Sequence, residues 1–119
     1  MIRTLLCTAV FAVAGSFAAR ADEFRPITDR TSFVSLVQGK QLTRLGIRLD
    51  VLETGAILGK AFGKPVTGAW RWQNGLFCRD LYFGQQDLGP NCQVVKLRGD
   101  TLRFIADRGN GQYSDLSLR

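Results

Sequence analysis

The most informative absence in this 119-residue chain is that of histidine. Histidine is the commonest general base at neutral pH, the usual neutral metal ligand and the partner of most serine and cysteine nucleophiles. Cysteine is also scarce, and none of the three cysteines belongs to a Cys-x-x-Cys pair. These absences exclude the familiar triad hydrolases, histidine-ligated metal centres and thioredoxin-like redox sites. We therefore predict no metal and no cofactor.

Internal repeats, low-complexity segments and long runs of like charge are absent as well. With 45% hydrophobic and 22% charged residues, the composition is that of one small globular domain. The formal net charge is +6, but the arginines are interleaved singly with acids along the chain. A nucleic-acid partner is therefore not expected, because such partners are recognised by clustered basic residues.

The first 21 residues have the pattern of a signal peptide. A positive segment, Met1-Ile2-Arg3, precedes an apolar run over 5–17, and Ala19-Arg20-Ala21 is an A-x-A cleavage site. The apolar run falls short of the roughly 18 to 20 residues that span a bilayer. We expect cleavage near Ala21, no membrane span, and a single β-rich domain over 22–119 that is periplasmic or secreted.

Cleavage at that site would leave two cysteines, Cys78 and Cys92, in an oxidising compartment. An even number of cysteines there predicts a disulfide. A metal site is the alternative, but two thiols without histidine would need carboxylate ligands, and their spacing matches no zinc motif. We predict a structural disulfide, worth about 3 kcal/mol for a loop of this size.

The pattern of the remaining chain predicts one helix followed by short antiparallel strands. The helix is predicted over 29–38, with capping side chains at Thr28 and Asp29 and a C-terminal Gly39. Turn residues then recur between stretches rich in β-branched and aromatic residues. The predicted strands are 41–44, 47–52, 56–62, 66–73, 76–83, 92–97, 101–107 and 112–118.

The strongest local signal is Asn74-Gly75 between two alternating runs, which favours a two-residue type I′ hairpin turn. Counting outward pairs Trp72 with Phe77 and Trp70 with Arg79 on the core face, and places Cys78 on the outer face. Seven or eight such strands with one N-terminal helix predict a small barrel or a sandwich. A single-layer sheet covered by the helix is the α+β alternative.

Two groups of residues are candidate binding sites. Trp70, Trp72 and Arg79 share the core face, where an arginine would stack on indole, pair with an acid or bind an anionic ligand. Alternatively, Arg79 lies near the rim with its guanidinium in water and the tryptophans are core. Gln85, Gln86 and Asp87 lie in the longest loop, 84–91, which is either a contact surface or a solvated tip.

Several motifs resemble a family of small exported bacterial proteins that are commonly called dihydrodipicolinate reductases. The most specific are Trp70-Arg71-Trp72, Phe77-Cys78-Arg79-Asp80 and Asn91-Cys92, and the resemblance spans nearly all of 22–119. It implies membership of that family and a location in the cell envelope. Enzymes properly so named have two domains and a dinucleotide fingerprint. None of their motifs matches here, so the resemblance provides no catalytic residue.

Two functional hypotheses follow. The first is a non-enzymatic exported β-barrel that binds a small anionic or apolar ligand, or presents its loop to an envelope protein. The second is an enzyme, either the reductase of the family's name or an acid–base catalyst that uses Asp80, Asp87 or Asp115. Acid–base catalysis would require carboxylates that converge in one pocket.

Overall fold

The computed structural model describes residues 23–119, so the predicted signal peptide lies outside the described part of the chain. A short strand comes first and a helix follows it. A 3-10 turn at Asp107–Gly109 separates the last two strands. The elements are β1 (Arg25–Ile27), α1 (Arg30–Val37), β2 (Leu42–Arg44), β3 (Ile47–Val51), β4 (Ala56–Ala61), β5 (Lys64–Gln73), β6 (Leu76–Phe83), β7 (Gln86–Asp87), β8 (Asn91–Arg98), β9 (Thr101–Ile105) and β10 (Tyr113–Leu118).

Eight strands close into an antiparallel barrel in the order β8-β9-β10-β2-β3-β4-β5-β6, and β6 pairs back with β8. The barrel prediction is therefore confirmed over the sandwich and the single-layer sheet. All eight predicted strands are present, with ends that differ by a few residues. The short strands β1 and β7 were not predicted, and because β1 precedes it, α1 is not the first element of the described chain.

The β6–β8 pairing that closes the barrel is short, and the disulfide lies within it. Only Phe77, Cys78 and Arg79 pair with β8, opposite Gln93, Cys92 and Asn91. Strand β1 continues the ladder along β8, and β7 continues it along β6. The predicted disulfide joins directly opposed residues and is confirmed.

The predicted β5–β6 hairpin is confirmed residue for residue. Asn74 and Gly75 both have positive φ, at 52° and 75°, as a type I′ turn requires. Trp72 pairs with Phe77, and Trp70 pairs with Arg79. Cys78 lies on the opposite side of the strand from Phe77, as predicted, and is nevertheless only 1% exposed.

Helix α1 closes one end of the barrel, which we call the helix end. Asp29 is its N-cap and accepts hydrogen bonds from the backbone and hydroxyl of Ser32, at 2.9 and 2.8 Å. Phe33 is completely buried and points into an aromatic cluster with Trp70, Trp72, Phe77 and Phe104, at centroid distances of 5.1 to 6.3 Å. The helix is therefore a plug for the barrel.

The opposite end has no such plug, and we call it the open end. Because the strands run up and down, the turns at residues 45–46 and 62–63, the loop 84–90 and the segment 106–112 all lie there. The segment 106–112 folds against the outside of β8, where Asn91 and Asp107 exchange hydrogen bonds of 2.8 and 3.0 Å. The interior is consequently covered at one end and accessible at the other.

Candidate functional site

The barrel interior contains a cavity of about 320 Å³ between the aromatic cluster and the open end. Most of its lining is aliphatic or aromatic and includes Leu49, Ile57, Leu81 and Leu116. The polar lining residues are Arg44, Arg79, Gln93 and Ser114. No Asp or Glu of residues 23–119 lines it. Well-packed interiors contain few voids larger than a water molecule, whereas ligand pockets begin at about 300 Å³.

The cavity has a simple origin in the sequence. By strand alternation, the interior positions of β4 and β5 include Gly59, Ala61, Val66 and Gly68. These residues place little volume inside the barrel, whereas the interior positions at the helix end carry Trp70 and Phe77. Gly59 and Gly68 are also required by close strand approach, because a Cβ atom would lie 2.1 and 2.2 Å from carbonyl oxygens of neighbouring strands.

Arg79 is the half-buried cation of this cavity. Its Nη1 donates a hydrogen bond to the carbonyl oxygen of Gly89, at 2.7 Å. No carboxylate of residues 23–119 lies within ion-pair distance of it. Burial lowers the pKa of the guanidinium, and the charge of Asp80 offsets part of that effect. A guanidinium has five N–H donors, so Arg79 retains donors for a further acceptor.

The predicted interaction loop forms part of the cavity rim. Gln85, Gln86 and Asp87 are exposed, and β7 pairs the latter two with the end of β6. Asp87 accepts a hydrogen bond from the Gly89 backbone at 2.8 Å, which orders the turn whose carbonyl binds Arg79. Leu88 lines the cavity from this loop. Loop and cavity are therefore one structural unit.

Trp70 and Trp72 lie at the helix end and do not line the cavity. Their indole N–H groups donate to the carbonyl oxygens of Leu52 and Thr28, at 2.7 and 3.1 Å. Although Trp70 is the register partner of Arg79, its ring packs on Phe33 and Phe77. The structure thus brings Arg79 to the cavity and places both tryptophans in the aromatic cluster against helix α1, where their polar atoms have partners.

Arg44 and the hydrophobic residues of β2, β3 and β10 complete the cavity, and the sequence reading did not identify them as site residues. Strand alternation could have shown that Leu42 and Arg44 share one face of β2 and that Ile47 and Leu49 share one face of β3. The local sequence pattern does not show that β10 pairs with β2. This pairing closes the barrel and places these faces in the same interior as Arg79. That pairing joins residues more than seventy positions apart.

The three candidate catalytic aspartates lie outside the cavity. Asp80 is 3.7 Å from Arg71, and Asp87 lies on the rim. Asp115 accepts two hydrogen bonds from Arg103, at 2.8 and 3.0 Å, which lower the pKa of its carboxyl and raise the pKa of Arg103. The carboxylates are therefore distributed over separate strand pairs.

Residues 23–119 contain no group of three or more Cys, Asp or Glu side chains that could hold a metal ion. The single α-helix in this range is too short to cross a membrane.

Comparisons with protein-family models, with curated proteins and with solved structures found no match to this chain.

Proposed function

We propose that this protein is a non-enzymatic exported binding protein that holds a small amphipathic ligand in its barrel. The apolar body of the ligand occupies the cavity, and its anionic group accepts hydrogen bonds from Arg79. One observation carries the proposal: an apolar cavity contains a half-buried guanidinium with no carboxylate partner.

The energetics of such a site favour an anion attached to a hydrophobic body. Each Å² of apolar surface removed from water contributes about 25 cal/mol, which the aliphatic lining can supply. A partly desolvated cation gains most from an ionised acceptor, because charge-assisted hydrogen bonds are about twice as strong as neutral ones. The cavity is enclosed by the paired strands of the barrel wall, so little reorganisation opposes binding.

An exported location is part of the same proposal. The Cys78–Cys92 disulfide is typical of proteins in oxidising compartments. The pattern of residues 1–21 and the resemblance to small exported bacterial proteins support it independently. A binding role is supported over acid–base chemistry because Asp80 and Asp115 each face an arginine on the barrel wall.

The direct test is calorimetric titration with decanoate and decanol, which share a hydrophobic chain and differ in charge. We expect decanoate to bind more tightly. Arg79→Met should weaken decanoate binding about tenfold to a hundredfold, because a hydrogen bond to a charged group contributes about 1.5–3 kcal/mol. Decanol binding should change little, because Met preserves an apolar stem of similar length.

Arg71→Met is the matched control, because Arg71 lies on the outer wall beside Asp80. It should bind both compounds like the wild type. Ala61→Phe, which adds a ring to the cavity lining, should weaken both. Equal decanoate affinity in wild type and Arg79→Met, or no binding of either compound, would contradict the proposal.

A further inference from the structure

The open end carries an exposed apolar tip formed by two adjacent hairpin turns. Leu45 is 94% exposed and Phe62 is 72% exposed, the two largest values among the large hydrophobic residues of 23–119. The turns are joined by a 2.8 Å hydrogen bond from the Phe62 backbone to the carbonyl oxygen of Gly46. The Phe62 ring also lies directly against Gly46, where a Cβ atom would come within 2.7 Å of it. The two turns that carry Leu45 and Phe62 are therefore adjacent.

Phe62 occupies a backbone position that is unfavourable for it. Its φ is 52° and that of Gly63 is 79°, nearly the same pair as at Asn74 and Gly75. Two-residue turns of this kind prefer Asn or Asp at the first position, and bulky residues rarely have positive φ. A large aromatic residue that is both exposed and conformationally disfavoured contributes little to folding, which points to a role in binding.

Four basic side chains surround this tip without acidic neighbours in the sequence. They are Arg44, Arg48, Lys60 and Lys64, and the segments 41–49 and 54–79 contain no Asp or Glu. Arg48 and Lys60 are directly opposed in the β3–β4 ladder, a pairing of like charges that destabilises a sheet. Within residues 23–119 none of the four forms an ion pair. Asp115 interacts with the charge of Arg44 but is itself paired with Arg103, so the turn region carries a net positive charge.

We propose that this surface, consisting of Leu45, Phe62 and the four basic residues, docks the open end on an anionic phospholipid bilayer. The two apolar side chains insert among the lipids while the cations bind headgroup phosphates, the combination that gives stable interfacial binding. Charge complementarity favours lipid over a second copy of this chain, since two such cationic tips would repel each other. Docking would also place the cavity mouth at the bilayer, because Phe62 and Arg44 line the cavity as well.

The test is co-sedimentation of the full mature chain with vesicles. Vesicles of phosphatidylglycerol and phosphatidylcholine in equal parts should bind the protein, and vesicles of phosphatidylcholine alone should bind it far less. Each basic residue near an anionic surface changes the partition coefficient by about fivefold. Arg48→Gln with Lys60→Gln should therefore lower it about twenty-five-fold, and binding should weaken as salt is raised.

The most discriminating variant is Phe62→Asn. It should abolish vesicle binding and raise the midpoint of thermal unfolding, because Asn suits the turn. Leu58→Ser, on the barrel wall, and the pair Arg25→Gln with Lys40→Gln, on exposed residues away from the tip, are the matched controls and should bind vesicles like the wild type.

Two results would overturn the docking surface. The first is vesicle binding by Phe62→Asn and Leu45→Ser at the wild-type level. The second is a wild-type dimer in sedimentation equilibrium that Phe62→Asn dissociates, in the absence of vesicle binding. This test is separate from that of the cavity, since Arg79→Met should still bind vesicles. Leu45→Ser and the pair Arg48→Gln with Lys60→Gln should still bind decanoate, because Leu45, Arg48 and Lys60 do not line the cavity.

Discussion

Arg79 is the side chain on which the binding hypothesis depends most. It faces an apolar lining, is half-buried, and has a backbone carbonyl rather than a carboxylate as its partner. Stability alone does not account for such a residue, because partly desolvated charges without an ion-pair partner oppose folding. A role in ligand binding explains the arrangement without requiring a stabilising contribution.

The first prediction is that Arg79→Met does not destabilise the protein. We expect the free energy of unfolding in urea to rise by up to about 1 kcal/mol, because the gain from removing the charge exceeds the loss of one hydrogen bond. Arg71→Met, on the exposed wall, should stay within about 0.5 kcal/mol of the wild type. A clear loss of stability in Arg79→Met alone would make Arg79 a structural residue instead.

Asp115 gives a prediction about acid stability. Hydrogen bonds from Arg103 lower the folded-state pKa of its carboxyl below the ordinary value of 3.8. The pair therefore stabilises the fold fully at pH values above 3.8, and this contribution is lost as the pH falls through the lower folded-state pKa. Asp115→Asn should be less stable than the wild type at neutral pH, and the difference should shrink in strong acid.

The measurement is the midpoint of urea unfolding as a function of pH. Asp50→Asn is the control, because Asp50 forms no ion pair within residues 23–119, and its offset from the wild type should not follow that of Asp115→Asn. A constant offset between Asp115→Asn and the wild type across the whole acid range would contradict the role given to this ion pair.

Helix α1 is a short element that closes one end of the barrel. Its own eight residues are too few for a stable isolated helix, so its stability comes from the packing of Phe33 into the barrel. The Asp29 cap and Gly39 mark its ends in the sequence, and both were predicted correctly. The aromatic cluster explains why the helix closes one end rather than lying across a sheet.

Shortening the Phe33 side chain, which anchors helix α1 in the barrel, is therefore expected to destabilise the protein strongly. Phe33→Ala should lower the free energy of unfolding by about 3–5 kcal/mol, as for other fully buried aromatic residues. Phe33→Leu, which keeps most of the volume, should lose less and keeps the comparison measurable if the first variant fails to fold. Leu45→Ala, at a fully exposed position, should change stability by less than about 0.5 kcal/mol. If Phe33→Ala and Leu45→Ala lowered the free energy of unfolding in urea by similar amounts, the stabilising role of Phe33 in the plug would be contradicted.

The β6–β8 closure gives the fourth prediction. Replacing both Cys78 and Cys92 with Ala should lower the free energy of unfolding by about 3 kcal/mol, because the disulfide closes a loop with a sequence separation of 14. Amide exchange should accelerate most in β1, β7 and the start of β8, and least in the β3–β4–β5 hairpins. Uniform acceleration throughout the barrel would show that the three-residue closure is not the weak point.

The architecture of the entire barrel was only partly accessible from the sequence. Alternation and turn residues identified the eight barrel strands and the β5–β6 register, because both are encoded by neighbouring residues. Strands β1 and β7 were missed because they are two or three residues long and form only against strands that are already paired. Closure through β10–β2 and β6–β8 depends on distant residues, and local periodicity carries no information about it.

The same reasoning explains the partial success at the site. Arg79 was identified because its hairpin register was readable, and the structure places it in the cavity. Trp70 and Trp72 were grouped with it because all three share a face, and the register gave no indication that Phe33 occupies the space beside the indoles. The cavity itself depends on small interior residues, Gly59 and Gly68 among them, that are inconspicuous in a sequence.

The measurement that tests the central claim most directly is a nuclear Overhauser spectrum of the full mature protein with decanoate. The binding account predicts contacts from the decanoate chain to the methyl groups of Leu49, Leu81 and Leu116, which line the cavity, and none to Val34 or Val37 on helix α1. Contacts with the helix methyls instead, or with exposed wall residues such as Leu58 only, would contradict a ligand site inside the barrel.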